Sequence, residues 1–421
     1  MIPKFTLIEQ TLPGESIVDL AAEIERQLAR MNLQDKITPG MSIAITAGSR
    51  GIHRIDEIIR GVVRHVKSLG GKPFIVPAMG SHGGATASGQ IDLLRQLNIT
   101  AESMGVPVLS SMEVVEIGST DQGFAVCLDR YAARAGGIIA VARIKPHTDY
   151  RSRIESGLNK MLAIGLGKHK QALAIHRYGV EGLKRLIPQA ARVILNNAPI
   201  MMGLAVIENG RDETARIIAL APEDFAGQEP ILLKEARSLM PALPFRELDI
   251  LLVGEMGKDI SGTGMDTNII GRVGISGEEE FGGLKTRYIV VLRLSEASHG
   301  NALGIGLADI TTLRVMNAID YPVMRQNVIT STFIERGKIP LAFPSDREAI
   351  EGALRCLWHD KASNARIAYI PNTKTIDRIL VSEGLLEELH DKENIKISRL
   401  PRELPFDREG NLPPWNLLLS G

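Results

Sequence analysis

Short apolar runs alternate with amphipathic stretches through the first half of the chain. Ser42–Thr46 (SIAIT) reads as a strand; Ile55, Ile58, Ile59, Val62, Val63 and Val66 then recur at spacings of three and four, the period of a helix with one buried face. Lys72–Pro77 (KPFIVP) repeats the strand pattern, and a second helix is expected near Gln90–Leu97. Both steps run strand, Gly-Ser-Arg/His-Gly, helix, with Gly48 and Gly80 offset by 32 residues. That offset fits parallel strands joined by right-handed crossovers. A third strand is expected at Gly137–Ala142 (GIIAVA), and a further apolar run covers Met202–Ile207. Glu229–Glu247 reads as a helix followed by a proline-punctuated linker. Asp249–Val253 (DILLV) opens a second block with strands at Tyr288–Leu294 and Arg366–Ile370. The expected class is α/β: two α/β domains with mainly parallel sheets and the active site in the cleft between them. The first would span 1–240 and the second 248–400, with 401–421 a tail packing back on the body.

Composition narrows the partners. Lys+Arg and Asp+Glu both number 49, so the net charge is zero and no global field favours nucleic acid or an anionic membrane. An anionic ligand must be held by a local group of cations. With 9 Phe, 6 Tyr and 2 Trp, the core is expected to be aliphatic. Cys127 and Cys356 are too few for a disulfide framework or a CxxC metal site, and they fit a reducing cytoplasm. The first residues lack the basic-then-apolar pattern of a signal peptide, and no run approaches the ~18 apolar residues of a membrane helix. A cytoplasmic protein is expected.

Arg50, His82 and His147 each fall within a few residues after an expected strand. In open parallel sheets ligands sit outside the carboxyl ends of the strands, so three polar side chains on three such loops form a candidate site. Gly83 and Gly84 would let backbone amides approach a phosphate or carboxylate. Each residue also has a structural alternative: a surface ion pair for Arg50, a turn residue for His82, an exposed loop histidine for His147. There is no P-loop or GxGxxG in these loops, and no HExxH. Lys160 precedes the apolar run Met161–Leu166. Desolvation there would make it a nucleophile, and a snorkelling lysine is the alternative.

The ordered set Gly48-Ser49-Arg50, Gly80-Ser81-His82, Lys145-Pro146-His147, Asn159-Lys160 and His176 resembles the nickel-dependent lactate racemase family. These are α-hydroxyacid racemases and epimerases that use a nickel-pincer nucleotide, a pyridinium thioamide/thiocarboxylate mononucleotide with Ni(II). The likeness runs through most of the first 180 residues. It implies that Lys160 tethers the cofactor through a thioamide, that His176 is a nickel ligand, and that His82 and His147 are the acid/base pair. It further implies that Arg50 holds the substrate carboxylate and that cofactor-synthesis enzymes are partners. The implied reaction inverts the α-carbon of a 2-hydroxy acid by reversible hydride transfer through a planar 2-keto acid, with two near-neutral bases moving the hydroxyl proton.

Two departures stand out. His82 is followed by Gly-Gly, where lactate racemases often carry Arg-Pro. The glycine-rich loop 254–272 does not show the Gln and Lys pair used there for substrate contact. Its Lys258, Asp259, Asp266, Asn268 and Arg272 become candidates for selecting a larger or more oxygenated substrate, with plain loop chemistry as the alternative. A reading from another class is a non-catalytic anion- or nucleotide-binding protein that retains the racemase fold.

Overall fold

The computed structural model describes residues 2–49, 51–358, 364–398 and 400–420. Two compact units divide the chain, one of Pro13–Met240 and one of Met1–Leu12 with Pro241–Gly421. The chain opens with β1 (Phe5–Gln10), which pairs antiparallel with Arg378–Ser382 and Ile395–Ile397. The domain expected at 1–240 therefore begins at Pro13. The reason is apolar matching: Phe5, Leu7 and Ile8 are at most 4% exposed, buried in the sheet of the unit that contains 241–421.

In the unit of 13–240 the strands are β2 (Ser42–Ala47), β3 (Lys72–Pro77), β4 (Val114–Ser119), β5 (Ala125–Asp129), β6 (Gly137–Arg143), β7 (Ile200–Glu208) and β8 (Thr214–Leu220). The main sheet has the order β3-β2-β6-β7-β8; all neighbours are parallel except β8, which closes one edge antiparallel to β7. β4 and β5 form a separate two-stranded ribbon. The longer helices of the unit are α1 (Leu20–Ala29), α2 (Ile55–Ser68), α3 (Ala87–Gln96), α4 (Lys168–His176), α5 (Gly179–Asn197) and α6 (Phe225–Leu239). The six apolar residues that predicted α2 are all at most 5% exposed, and they face an aliphatic core shared with β2 and β6. α6 ends before the expected proline-punctuated linker, as the sequence indicated.

β2 lies between β3 and β6, so the chain moves outward to β3 and then crosses to the other side of β2. Such a reversal parts the loops that follow the two inner strands and leaves a crevice at their carboxyl ends. The loops carrying Ser49 and His147 are those two, and His82 follows β3.

In the other unit β9 (Glu247–Val253), β10 (Lys285–Val291), β11 (Ile310–Thr312), β12 (Leu341–Phe343) and β13 (Ile367–Ile370) are parallel in the order β12-β11-β10-β9-β13. β14 (Arg378–Ser382), β1 and β15 (Ile395–Ile397) extend the sheet antiparallel. The reversal here falls at β9, whose carboxyl end leads into the loop 254–272. The last residues lie on this unit: Phe5 and Arg402 exchange backbone hydrogen bonds of 2.8 and 2.9 Å, and the Leu412 amide donates to Asp346 at 2.9 Å. Among the described residues no helix is long and apolar enough to cross a membrane.

Candidate active site

Arg50 lies outside the described residues. Its neighbour Ser49 brings the loops after β2 and β3 together, with Oγ 2.5 Å from His82 Nδ1. The His82 loop is held from below by Gln90 of α3, fully buried, whose Nε2 donates to the carbonyls of Gly80 (3.0 Å) and His82 (3.3 Å). Of the two glycines expected to offer amides to an anion, Gly83 is packed on α3. A Cβ there would stand 2.6 Å from the Gly89 carbonyl carbon, whereas Gly84 has nothing within 4 Å of that position.

The His147 loop is built around Glu155, which is fully buried. Its carboxylate accepts from the amides of His147 (2.7 Å) and Ser152 (2.9 Å), and it pairs with Arg237 and with Arg151 (3.6 Å). Tyr150 stacks obliquely on the His147 ring, with centroids 4.6 Å apart, and burial drives its phenol well above the usual range. The Asp149 amide lies 3.1 Å from His147 Nδ1. An amide can only donate, so Nδ1 accepts there, with the Asp149 carboxylate 3.7 Å away. Nε2 is 2.5 Å from Lys160 Nζ. The contact puts the lysine nitrogen and the imidazole within hydrogen-bond reach of each other, so a proton can pass between them.

Lys160 ends the short helix Leu158–Lys160 and leads directly into a π-helical turn over Met161–Leu166. Wide turns of this kind concentrate at functional positions. Two glycines let the turn approach the other loops. A Cβ on Gly165 would stand 2.7 Å from the Ala78 carbonyl oxygen, and one on Gly48 3.3 Å from Met161 Cε. The segment bearing Lys160 is thereby set against the loops that carry Ser49 and His82.

His176 closes α4. Its Nδ1 is 2.6 Å from the Ala172 carbonyl, which can only accept, so Nδ1 carries the hydrogen and Nε2 the lone pair. Burial lowers its pKa, opposed by the Ala172 bond and reinforced by the charge of Lys160. The ring is neutral at pH 7, with its orientation and tautomer fixed by a backbone carbonyl, as a metal-binding imidazole requires. Among the described residues no three His, Cys, Asp or Glu side chains form a group able to hold a metal ion.

Two buried residues behind this constellation were not singled out from the sequence. Lys168, fully buried at the start of α4, bonds the Pro77 carbonyl and Gln90 Oε1 (3.1 Å) and pairs with Asp129 at 3.3 Å. Glu229 of α6 lies under the Lys160 helix. Its Oε2 accepts from the Asn159 amide (3.0 Å) and side chain (2.8 Å), and only glycine at 157 leaves room for Oε1. Burial pushes the Glu229 carboxyl from 4.5 up to about 7. Because the folded value is the higher one, the stability it contributes is complete below pH 4.5 and is lost as pH rises through about 7. Glu229→Gln removes that dependence. Its thermal midpoint should match the parent at low pH and exceed it at pH 8–9, by up to about 3 kcal/mol in stability. Parallel melting curves across that range would refute the assignment.

The polar groups of the 254–272 loop bond both within the loop and to neighbouring segments of the same unit. Arg272, one of the candidates for selecting substrate, donates to the carbonyls of Leu307, Thr286 and Arg287 and pairs with Asp309 at 2.7 Å. Four acceptors occupy the guanidinium, so it serves as a brace between β10 and the segment before β11. Asp259 accepts from Ser295 (2.5 Å) and Ser298 (3.5 Å), and Lys258 Nζ bonds Gly262 O (2.5 Å) and Asn327 (2.9 Å). Asp266 caps the short helix Thr267–Ile270, accepting from the Asn268 amide (2.9 Å) and side chain (2.7 Å).

Two α/β units with mainly parallel sheets, each reversing strand order at an inner strand, define the structural class. The lactate racemase apoprotein from Thermoanaerobacterium thermosaccharolyticum shares this fold at TM-score 0.52 and 13% identity, over 88% of this chain and 99% of that one. A Thermotoga maritima protein solved by the Northeast Structural Genomics Consortium aligns at TM-score 0.48 and 12% identity, over 66% of this chain and 72% of its own. No family model matches the sequence, and no curated protein matches it.

Proposed function

We propose that this chain is a racemase or epimerase of 2-hydroxy acids carrying a nickel-pincer nucleotide on Lys160. One observation carries the reading: Lys160 Nζ lies 2.5 Å from His147 Nε2, uniting the residues that the family resemblance reserves for tether and proton transfer. The lactate racemase fold supports it.

The residues fit the group. His147 stands where it can take a proton from the Lys160 amine as that amine forms an amide-type bond, and a neutral His176 with Nε2 as donor suits Ni(II). The remaining donors to nickel would belong to the tethered nucleotide, which when bound supplies a reversible hydride acceptor. Everything else is work for the chain. His147 Nε2 exchanges a proton with the substrate hydroxyl once the lysine is acylated, and the buried Glu155 keeps its loop in place. His82, with Nδ1 occupied by Ser49, serves the opposite enantiomer through Nε2. Arg50 binds the carboxylate, for which a forked guanidinium is suited. The enzymes that synthesise the cofactor are the implied partners.

The test is protein produced alongside those enzymes, screened against chiral 2-hydroxy acids in D₂O. Inversion with the Cα hydrogen retained is expected. Rapid deuterium entry at Cα would replace the mechanism with proton abstraction, and an unmodified Lys160 peptide without nickel would remove the reading altogether.

A further inference from the structure

A cavity of about 340 Å³ lies against α4, lined by Phe124, Cys127, Lys170, Gln171, Tyr178 and Arg185 among others. Lys160, His147 and His176 do not line it. We propose that it is a second ligand site, which takes a small aromatic anion: a single ring bearing a carboxylate or a phosphate.

Size sets the first limit, because about 300 Å³ is the lower end of small-molecule pockets and suits one substituted ring. Charge sets the second. Lys170 and Arg185 both line the cavity, no Asp or Glu does, and neither cation has a hydrogen bond or ion pair with any described residue. Glu181, one helical turn before Arg185, neither lines the cavity nor pairs with it. Two uncompensated cations on one concave surface favour an anion, and the planar guanidinium matches the two oxygens of a carboxylate or phosphate.

The third limit is the aromatic wall. Phe124, from the β4–β5 turn, meets Tyr178 edge-on, with centroids 6.2 Å apart and planes at 76°. Tyr178 is nonetheless 58% exposed, an aromatic surface left open beside the two cations. A ligand ring would cover that surface while its anionic group reaches Lys170 and Arg185. The opposite wall is rigid: Gln171, 1% exposed, accepts from the Cys127 amide at 2.7 Å and donates to the Ala125 carbonyl at 3.4 Å, pinning α4 to β5. The pocket is thus preformed rather than assembled on binding, which lowers the entropic cost of occupancy.

The proposal does not rest on the racemase reading and is tested on the full chain without cofactor. Calorimetric titration uses benzoate and phenyl phosphate, with inorganic phosphate and benzyl alcohol as charge-only and ring-only controls. At least one ring-bearing anion should bind about tenfold or more tighter than either control. Arg185→Glu should weaken it by about tenfold or more, and Lys160→Ala should leave it unchanged. Circular dichroism of Arg185→Glu establishes that the variant is folded. Three outcomes overturn the proposal: no millimolar binding of either aromatic anion, equal binding of inorganic phosphate, or loss of binding in Lys160→Ala with retention in Arg185→Glu.

Discussion

Lys160→Ala, produced beside the cofactor-synthesis enzymes, should give a folded protein with its unmodified mass, no nickel and no racemisation. His82→Ala should keep the added mass and the nickel yet lose about 10²–10⁴ in turnover, the usual contribution of one positioned acid or base. The contrast separates tethering from proton transfer, because Gln90 holds the His82 loop through the backbone carbonyls of Gly80 and His82 and not through the imidazole. Lys160→Arg sharpens the first half. It keeps a long cation at this position, but its guanidinium stays protonated and cannot act as an amine nucleophile, so it should stay as unloaded as the alanine variant. Intact-mass spectrometry with metal analysis measures loading, and polarimetry measures turnover. Normal turnover in His82→Ala would withdraw its role. A loaded Lys160→Arg protein would mean that another residue carries the group.

The places of His82 and His147 at one sheet edge were legible in the sequence because they depend on position after a strand. Apolar runs at 42–46, 72–77 and 137–142 became β2, β3 and β6 nearly residue for residue, and a parallel sheet then delivers the following loops to one edge. β1 was not legible. FTLIEQ carries no local sign of its partners, and pairing with 378–382 and 395–397 is a contact across more than 360 residues. The loop 254–272 left two readings open for the opposite reason. Its polarity is visible in the sequence, but whether Arg272 faces a ligand or four internal acceptors is decided by the tertiary fold. Lys168 was masked by its neighbours: Lys168-His169-Lys170 reads as the solvated start of a helix, and only the fold turns the first of the three inward.

Lys168→Met should be the most destabilising single change in the unit of 13–240. The side chain is fully buried, and its ammonium meets Asp129, the Pro77 carbonyl and Gln90. Burial alone pushes the Lys168 pKa down and the Asp129 pKa up, so each charge depends on the other for its compensation. Removing one partner of such a pair costs about 3–5 kcal/mol, because the remaining charge stays buried. In a unit of this size that lowers the thermal midpoint by about 10 °C. The deficit should shrink in acid: with its folded pKa raised, Asp129 costs nothing below the usual aspartate value and progressively more as pH climbs through the folded one. Adding Asp129→Asn should restore much of the loss, since the amide oxygen can still accept from the Tyr131 and Ala132 amides at 2.8 and 3.0 Å while the stranded charge is gone. The same contacts reach the chemistry. Lys168 holds Gln90 Oε1 while Gln90 Nε2 holds the His82 carbonyl, so the single variant should lower kcat more than it raises KM, and the double variant should not restore kcat. A double variant that regained stability and full turnover together would show that Gln90 positions the His82 loop without help from Lys168.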